Sequence, residues 1–288
     1  MTRRGLRYEL PLKRPLRLGD QQVTTRCGWL VQRGDAVGDA CPLPAFSVDR
    51  LADVDGAILR GQTTTASLSW ALHALDLTEH AEVATAGLVT EADDVEAGDH
   101  ACVKMKVGRR PLAEELRAVA SLRSTGVRIR LDGNRALTPE ATARLADAAG
   151  DALEYVEEPV APEHLAACIQ RAPIALDETL LDAPVAEVPR GAAAFVIKPT
   201  LLGAEHTLAL TALAARRGTP VVISSCYESA VGRAGLVRFA AATAPDTVHG
   251  LGTGPAFASD FEGWVRTDGA RLTTCAGALP EEDAWVTF

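Results

Sequence analysis

Six charged side chains follow short apolar runs of this chain, and their types suit metal binding combined with proton transfer. The three lysines are Lys104, Lys106 and Lys198, and the three acids are Asp132, Glu157 and Asp177. From Lys106 onward they succeed one another at intervals of about 20 to 26 residues, which suits a strand followed by a helix. Because the strand ends of a parallel barrel meet at one face, all six side chains can converge there.

The three acids offer only hard oxygen ligands, without histidine or cysteine alongside. Asp132, Glu157 and Asp177 therefore predict a Mg²⁺ site, with Mn²⁺ as a substitute. A divalent ion held there can bind a substrate carboxylate and take up the charge that forms when the α-proton leaves. The neighbouring Glu158 is interpreted as a loop former, not as a ligand.

Lys104 and Lys106 are two residues apart, so they project to the same side of a strand, as Asp132 and Asn134 also do. Two ammonium groups this close, beside a divalent cation, predict a lowered pKa for at least one lysine, which can then act as a base near neutral pH. We expect Lys198, three strands after Asp132, across the barrel mouth from this pair. Lysines on both sides of a substrate permit epimerisation or elimination, and the geometry alone leaves both open.

The segment 79–262 contains the elements that must position these side chains, because apolar strands alternate there with alanine-rich amphipathic helices. The eight strand candidates are VATAGLVT, ACVKMKVG, VRIRLDGN, LEYVEEP, IALDET, AFVIKPT, PVVISS and TVHGLG. This alternation predicts a parallel sheet that closes into a barrel. An open doubly wound sheet is the alternative, but no G-x-G-x-x-G opens an early βαβ unit. The first crossover, TEADDVEAGDH, is short and acidic, so we expect a reduced or missing helix there.

The two ends of the chain predict a second, smaller module. Residues 1–78 begin with strand-like alternation and continue with two helix patterns, and residues 263–288 return to strand-like alternation. We therefore expect an α/β protein in which 79–262 forms the barrel. An α+β domain made of 1–78 and 263–288 is expected to pack tightly over it.

Composition excludes several classes of protein. The 288 residues are 47% hydrophobic, which supports a large core, and the net charge of −9 disfavours nucleic acid and anionic membranes as partners. The basic start is not followed by a continuous apolar segment, so neither a signal peptide nor a membrane anchor is predicted and the expected location is the cytoplasm. Six cysteines without a C-x-x-C pair are interpreted as reduced thiols, with Cys226 as a packing residue. The expected partner is a small-molecule carboxylate, and the oligomeric state is left open.

Two later loops carry weaker indications of substrate binding. Ser224 and Ser225 follow the seventh predicted strand, and Gly250 and Gly252 follow the eighth, where hydroxyls and backbone amides can bind an anion. Ordinary turn and packing roles explain the same residues equally well. His249 is interpreted as a packed or rim residue because the histidines show no ligand spacing.

The motif set resembles the enolase superfamily, in its muconate-lactonizing-enzyme subgroup. The matching elements are K-x-K at 104–106, D-x-N at 132–134, V-E-E-P with Glu157, L-D-E-T with Asp177 and I-K-P-T with Lys198. The resemblance implies a modified TIM barrel, (β/α)7β, capped by an α+β domain built from both chain ends. It also implies magnesium bound by the three acids.

Within this subgroup, the short chain and the segments GDACPLPAFS, KPTLLG and HGLGTG are similar to dehydratases that form o-succinylbenzoate in menaquinone biosynthesis. The resemblance implies that Lys106 removes the α-proton of 2-succinyl-6-hydroxy-2,4-cyclohexadiene-1-carboxylate and then protonates the departing hydroxyl. It implies that Lys198 stabilises the enolate and that Lys104 keeps Lys106 poised. Racemases of N-succinylamino acids in the same subgroup use the same residues and are the alternative.

Overall fold

The structure, a computed structural model, describes residues 3–89, 99–280 and 285–288. Its first elements are the antiparallel strands β1 (Arg4–Leu18), β2 (Gln21–Arg33) and β3 (Ala36–Ala40), followed by the helices α1 (Leu51–Leu59) and α2 (Ala66–Ala74). Gly19 and Gly34 take φ angles of 57° and 60° at the two hairpin turns, a conformation that glycine adopts without steric cost. Apolar side chains of β2, β3, α1 and α2 form a cluster of their own, so this part of the chain has its own core.

Seven parallel strands form the central sheet. After a short β4 (Glu82–Ala84), they are β5 (Gly87–Val89), β6 (Cys102–Lys106), β7 (Arg128–Asp132), β8 (Leu153–Glu157), β9 (Ile174–Leu176), β10 (Ala194–Ile197) and β11 (Val221–Ile223). The helices are α3 (Leu112–Ser124), α4 (Pro139–Ala149), α5 (Pro162–Ile169), α6 (Glu178–Asp182), α7 (Pro199–Arg217) and α8 (Ala230–Thr243). Neighbouring strands pair in chain order from β5 to β11. Strands β9, β10 and β11 are buried along their whole length, as expected for strands covered on both faces.

A short segment at residues 249 and 250 takes the eighth strand position and closes the sheet into a barrel. His249 forms a parallel bridge with Thr85, and Gly250 forms one with Ser224 just beyond β11. The Gly250 backbone N–H also donates to Ile223 O at 2.9 Å. Both edges of the sheet are therefore bonded to this segment, and the predicted barrel fold is confirmed.

A layer of large side chains fills the barrel directly below its carboxyl end. Arg130 and Tyr155 lie two residues before Asp132 and Glu157, so they project inward with them. The Arg130 guanidinium lies 5.0 Å from the centre of the Tyr155 ring and donates two hydrogen bonds, of 2.9 and 2.8 Å, to Glu154. This packed layer supports the charged residues above it.

The last strands join two different sheets. They are β12 (Val265–Asp268), β13 (Arg271–Thr274) and β14 (Val286–Thr287). The hairpin of β12 and β13 pairs through β13 with β4, whereas β14 pairs antiparallel with β1. The backbone N–H of Phe288 also donates to Arg3 O at 3.0 Å, so the two ends of the chain meet at the edge of the first sheet.

Two predictions about organisation are not settled by these observations. The division into a cap of 1–78 plus 263–288 and a barrel of 79–262 stays a prediction. The reduced helix expected in the first crossover falls on residues 90–98, which lie outside the described residues. No helix in the described part of the chain has the length and hydropathy needed to cross a bilayer.

Candidate active site

The charged side chains that were predicted to converge do so at the carboxyl ends of five neighbouring strands. In order from β6 to β10 they are Lys104, Lys106, Asp132, Glu157, Asp177 and Lys198. Apart from Lys104, each is the last residue of its strand or the residue directly after it. The strand register places Lys106 opposite Asp132, and Asp132 opposite Glu157. Strand pairing therefore brings residues about 25 positions apart in sequence into direct contact.

Each acid is paired with at least one lysine. Lys104 Nζ lies 2.7 Å from Glu157 Oε1 and 3.0 Å from Asp132 Oδ2. Lys106 Nζ lies 3.0 Å from the same Asp132 oxygen, and Lys198 contacts Asp177 Oδ2. Each of the three lysines therefore lies within ion-pair distance of one or two of the three acids.

The carboxylates are almost fully buried, and this burial shapes their titration. Burial raises the pKa of Glu157, which Lys104 lowers only in part, and burial likewise raises the pKa of Asp177 against the effect of Lys198. Asp132 behaves in the opposite way. Burial acts to raise its pKa, but the charges of Lys104, Lys106 and Lys198 together lower it below its ordinary value.

A lowered pKa for at least one lysine beside a divalent cation stays a prediction, and among the ion pairs of the structure Lys104 shows a shift in the opposite direction. Burial acts to lower its pKa, but the negative charges of Asp132, Glu157 and Asp177 outweigh this effect and raise it above its ordinary value. The pKa of Lys198 is raised as well, because Asp177 outweighs its burial. The two lysines were weighed against each other in the sequence, whereas in the structure the acids lie closer.

In each acid, one carboxylate oxygen contacts a lysine and the other could bind a divalent cation. The second oxygen of each is buried without a hydrogen-bond partner, namely Asp132 Oδ1, Glu157 Oε2 and Asp177 Oδ1. Unpartnered buried carboxylate oxygens are costly, and hard oxygens from three adjacent strands are the ligands that Mg²⁺ prefers. As the side chains stand, no three histidine, cysteine or acidic residues in the described ranges form a ready metal-binding group. The lysines hold the other oxygen of each acid.

Asn134 links the base candidate to a further acid. Its Oδ1 accepts a hydrogen bond of 2.7 Å from Lys106 Nζ, while its Nδ2 donates to Glu178 Oε1 at 3.2 Å. The predicted D-x-N pair therefore faces one side, and both members contact Lys106. A role of Asn134 in substrate binding stays a prediction.

Glu158 was interpreted as a loop former and not as a ligand, and it lies in the bend directly after β8. Its side chain is fully buried and accepts hydrogen bonds from Arg135, from the Asp177 backbone N–H at 3.0 Å and from the Thr179 hydroxyl at 2.5 Å. Its backbone takes a φ angle of 36°, and Asn134 and Arg135 also have positive φ. Strain of this kind persists where the surroundings fix the backbone, and here it orients Asp177. In the sequence, the two consecutive acids of V-E-E-P were the signal from which a role for Glu158 could have been inferred.

The serines and glycines of the later loops lie together at the mouth. Ser225 Oγ lies 2.9 Å from Thr253 Oγ1 and 3.2 Å from Gly250 O, and Ser224 Oγ donates to Gly250 O at 3.4 Å. A Cβ added at Gly252 would have its nearest neighbour at 3.5 Å, so this glycine is not required by space. The substrate roles of Ser224, Ser225, Gly250 and Gly252 stay predictions.

His249 is a packing residue, as interpreted from the sequence. It is fully buried, its Nδ1 accepts from the Ile223 backbone N–H at 3.0 Å, and its Nε2 lies 3.1 Å from Ala244 O. Burial lowers the pKa of His249 to about 4. The ring is therefore neutral and completes the barrel closure.

The loop after β11 is tied to the N-terminal strands by Asp39. Its Oδ2 accepts hydrogen bonds from the Ser229 backbone N–H at 3.0 Å and from the Ser229 hydroxyl at 2.7 Å. Its Oδ1 accepts from the Tyr8 hydroxyl at 2.8 Å. Burial raises the pKa of Asp39 to about 7, although these hydrogen bonds act to lower it. The first sheet is thereby anchored to the N-terminus of α8.

Comparison with known families gives one match over most of this region. The model of the "Enolase C-terminal domain-like" family matches residues 87–277. This range contains all six charged residues of the cluster. It covers about two thirds of the chain.

Curated proteins and solved structures add further similarity. The chain is 32% identical to the o-succinylbenzoate synthase of Enterobacter sp. (strain 638), over 86% of this chain and 89% of that protein. The o-succinylbenzoate synthase of Thermosynechococcus elongatus BP-1, solved with Mg in the active site, superimposes with a TM-score of 0.71 at 23% identity, covering 90% and 95% of the two chains. The L-Ala-D/L-Glu epimerase of Bacillus subtilis superimposes with a TM-score of 0.74 at 20% identity, covering 96% and 97%. These two structural matches concern the fold.

Proposed function

The chain belongs to the enolase superfamily, and from that membership we propose that it is a metal-dependent lyase that forms o-succinylbenzoate. The proposed reaction is the syn-dehydration of 2-succinyl-6-hydroxy-2,4-cyclohexadiene-1-carboxylate. The Enterobacter relative, which is similar over most of both chains, is named o-succinylbenzoate synthase. The product would serve menaquinone biosynthesis.

One geometric observation carries the proposal. Lys106 is the last residue of β6, and Lys198 directly follows β10. These two strands are four positions apart in a barrel of eight, and the acids lie on the three strands between them. A small carboxylate bound at the acids would therefore have an amine on each of its two faces. The elimination needs an acid–base residue on one face of the substrate and, on the other face, a positive charge that stabilises the enolate.

The acids fit a divalent ion, and we assign this role to Asp132, Glu157 and Asp177. Each keeps one buried oxygen without a partner. A bound Mg²⁺ would hold the substrate carboxylate and lower the energy of the charge that develops beside it. Glu158 holds the backbone N–H of Asp177 and thereby fixes one of these ligands.

Lys106 is the proposed acid–base residue. In its neutral form, its Nζ would take the α-proton, and the electron pair of the broken C–H bond would move into the enolate. The same ammonium would then give this proton to the hydroxyl on the neighbouring carbon, so that the C–O bond breaks and water leaves. Asn134 and Asp132, at 2.7 and 3.0 Å, orient Nζ for both steps.

Lys198 and Lys104 have supporting roles in this proposal. Lys198 is 18% exposed at its side chain and carries a raised pKa, so it stays an ammonium that stabilises the enolate. Lys104 contacts both Asp132 and Glu157 and keeps a fixed positive charge close to Lys106. Its proposed role is to keep Lys106 poised for proton transfer.

A lysine-dependent racemase of N-succinylamino acids is the second candidate. The observation that favours it is the same pair of facing lysines, since proton removal on one face and return on the other inverts a stereocentre. The two reactions differ in their products. Only the dehydration generates an aromatic ring.

The test is incubation of the purified protein with the cyclohexadiene substrate and Mg²⁺, followed by ultraviolet absorbance. Appearance of o-succinylbenzoate at a rate that Lys106→Ala abolishes supports the proposal. Rapid racemisation of N-succinylamino acids without any aromatic product would assign the chain to the second candidate.

A further inference from the structure

Tyr227 occupies a strained position in the loop that follows β11. Its φ angle is 60°, in the left-handed region that residues other than glycine seldom adopt. Backbone strain of this kind persists only where neighbouring groups determine the conformation. The contacts around Tyr227 show which groups these are.

Arg26 of β2 holds the backbone of Tyr227. Its Nε donates to Tyr227 O at 3.0 Å, its Nη1 donates to Pro42 O at 3.0 Å, and its Nη2 donates to Cys41 O at 3.1 Å and more weakly to Cys226 O at 3.5 Å. The arginine is 1% exposed, and no carboxylate in the described part of the chain forms an ion pair with it. Burial of the guanidinium carries a desolvation cost, which its hydrogen bonds to carbonyl groups and the nearby charge of Glu228 offset.

The other side of the same loop is held by Glu228. Its Oε2 accepts from the Cys226 backbone N–H at 2.6 Å, and its Oε1 accepts from the Thr200 hydroxyl at 2.7 Å. Glu228 is also 1% exposed. Together with Arg26, it leaves Tyr227 little freedom to relax to an ordinary backbone angle.

The Tyr227 ring is part of the cover over the barrel mouth. It packs against an apolar cluster whose buried members are Leu18, Leu43, Leu201 and Cys226. This cluster joins the tip of the β1–β2 hairpin to the start of α7, directly beside Lys198. The ring therefore lies between the capping strands and the lysine cluster.

The phenol group has a positive environment and a free donor. Burial raises the pKa of Tyr227, and the nearby charges of Arg109, Lys104 and Lys198 lower it in part. The described residues include no hydrogen-bond partner for its hydroxyl. A hydroxyl donor close enough to Arg109, Lys104 and Lys198 to be influenced by their charges suits an anionic group of a ligand.

We propose that Tyr227 is a specificity-determining residue that donates its hydroxyl hydrogen bond to the distal carboxylate of a dicarboxylate substrate, and that Arg26 is the positioning residue that holds it there. The inference rests on the proposed function, in which the first carboxylate of the substrate lies at the metal site formed by the three acids. The second carboxylate, at the end of the succinyl chain, then needs a separate donor. Arg109 adds positive charge on the same side.

The test compares two ligands by isothermal titration calorimetry in the presence of Mg²⁺: o-succinylbenzoate and its analogue with the succinyl carboxylate changed to a carboxamide. In the wild type we expect the carboxamide to bind at least about tenfold more weakly, as for a lost hydrogen bond to a charged group. In Tyr227→Phe, this ratio of dissociation constants should fall towards one. Ser124→Ala removes an exposed hydroxyl that bonds to Ser121 O at the end of α3, away from this loop, and should keep the wild-type ratio.

Two Arg26 variants test whether Arg26 positions Tyr227 or only stabilises the fold. Arg26→Met should lower the ratio as Tyr227→Phe does, whereas Arg26→Lys keeps a donor near the Tyr227 carbonyl and should lower it less. A lower melting temperature with an unchanged ratio would mean that Arg26 is structural only. If Arg26 variants do not fold, Tyr227→Phe alone decides.

Other outcomes are equally decisive. Equal weakening of both ligands in Tyr227→Phe would overturn the assignment of the distal carboxylate. If the wild type binds both ligands with the expected ratio but forms no aromatic product, the proposed function fails and the subsite stands. If it binds neither ligand, both proposals are overturned.

Discussion

Lys106 and Lys198 face each other across the mouth of the barrel, because β6 and β10 are separated by the three strands that carry the acids. In a closed barrel of eight positions, a step of four places two strands on opposite sides. Lys106 contacts Asp132 at the near end of the acids, and Lys198 contacts Asp177 at the far end. The two lysines therefore have different neighbours, in line with the different roles proposed for them.

Replacement of either lysine should distinguish these roles. We expect Lys106→Ala to lower the rate of aromatisation by about 10²- to 10⁴-fold, the contribution of a general acid–base group. Lys198→Ala should also lower the rate, while some exchange of the substrate α-proton with deuterated solvent persists, because the base is intact. Product absorbance and proton NMR measure the two effects. Wild-type rates in both variants would mean that the cluster is not catalytic.

Removal of a carboxylate should weaken metal binding. Asp177→Asn replaces an oxygen that is buried and unpartnered, so we expect weaker Mg²⁺ binding by calorimetry and loss of aromatisation. EDTA should abolish the activity of the wild type, and added Mg²⁺ should restore it. Glu140→Gln, at an exposed position in the first turn of α4, is the matched control and should bind the ion normally. Equal affinity in both variants would exclude Asp177 as a ligand.

A methyl group added at Gly133 should disturb both stability and the site. Its Cβ would lie 2.7 Å from Pro159 Cα, so the backbone must move next to Asp132. We expect Gly133→Ala to lower the free energy of unfolding by about 1–3 kcal/mol, as for overpacking. Gly56→Ala in α1 would meet only the mobile end of Arg60 and should be neutral or stabilising. Urea denaturation of both variants measures the difference.

Two buried groups should give opposite dependences of stability on pH. The pKa of Asp39 is raised to about 7, so folding favours its protonated form, and its contribution to stability is lost as the pH rises from about 4 to 7. The pKa of His249 is lowered to about 4, so folding favours its neutral form, and stability is lost as the pH falls from about 6.5 to 4. Shifts of this size correspond to roughly 3–4 kcal/mol each. In the wild type the two contributions largely cancel.

Single variants should therefore reveal how each group makes the free energy of unfolding depend on pH. Relative to wild type, Asp39→Asn should gain stability with rising pH between 4 and 7, and His249→Gln should lose it. Urea denaturation at several pH values measures the change in the free energy of unfolding. Parallel curves for wild type and both variants would show that neither group titrates in this range.

The sequence was most informative where one strand end carries one charge. Asp132, Glu157 and Lys198 are contained in short apolar runs, so strand pairing alone determines where they meet. It was least informative where a side chain reaches another segment. Glu158 bonds to a backbone N–H 19 residues away and Arg26 to carbonyls 15 to 201 residues away, and local patterns contain no trace of such contacts. The direction of the Lys104 pKa shift likewise depends on distances between strands, which the sequence does not contain.

Because β14 pairs with β1, the first and last strands of the chain lie side by side. Thr287 lies opposite Arg4, so described residues near both termini are neighbours in one sheet. A short peptide joining the termini, combined with a new opening at an exposed turn such as that of Gly34, should give a circular permutant that still folds.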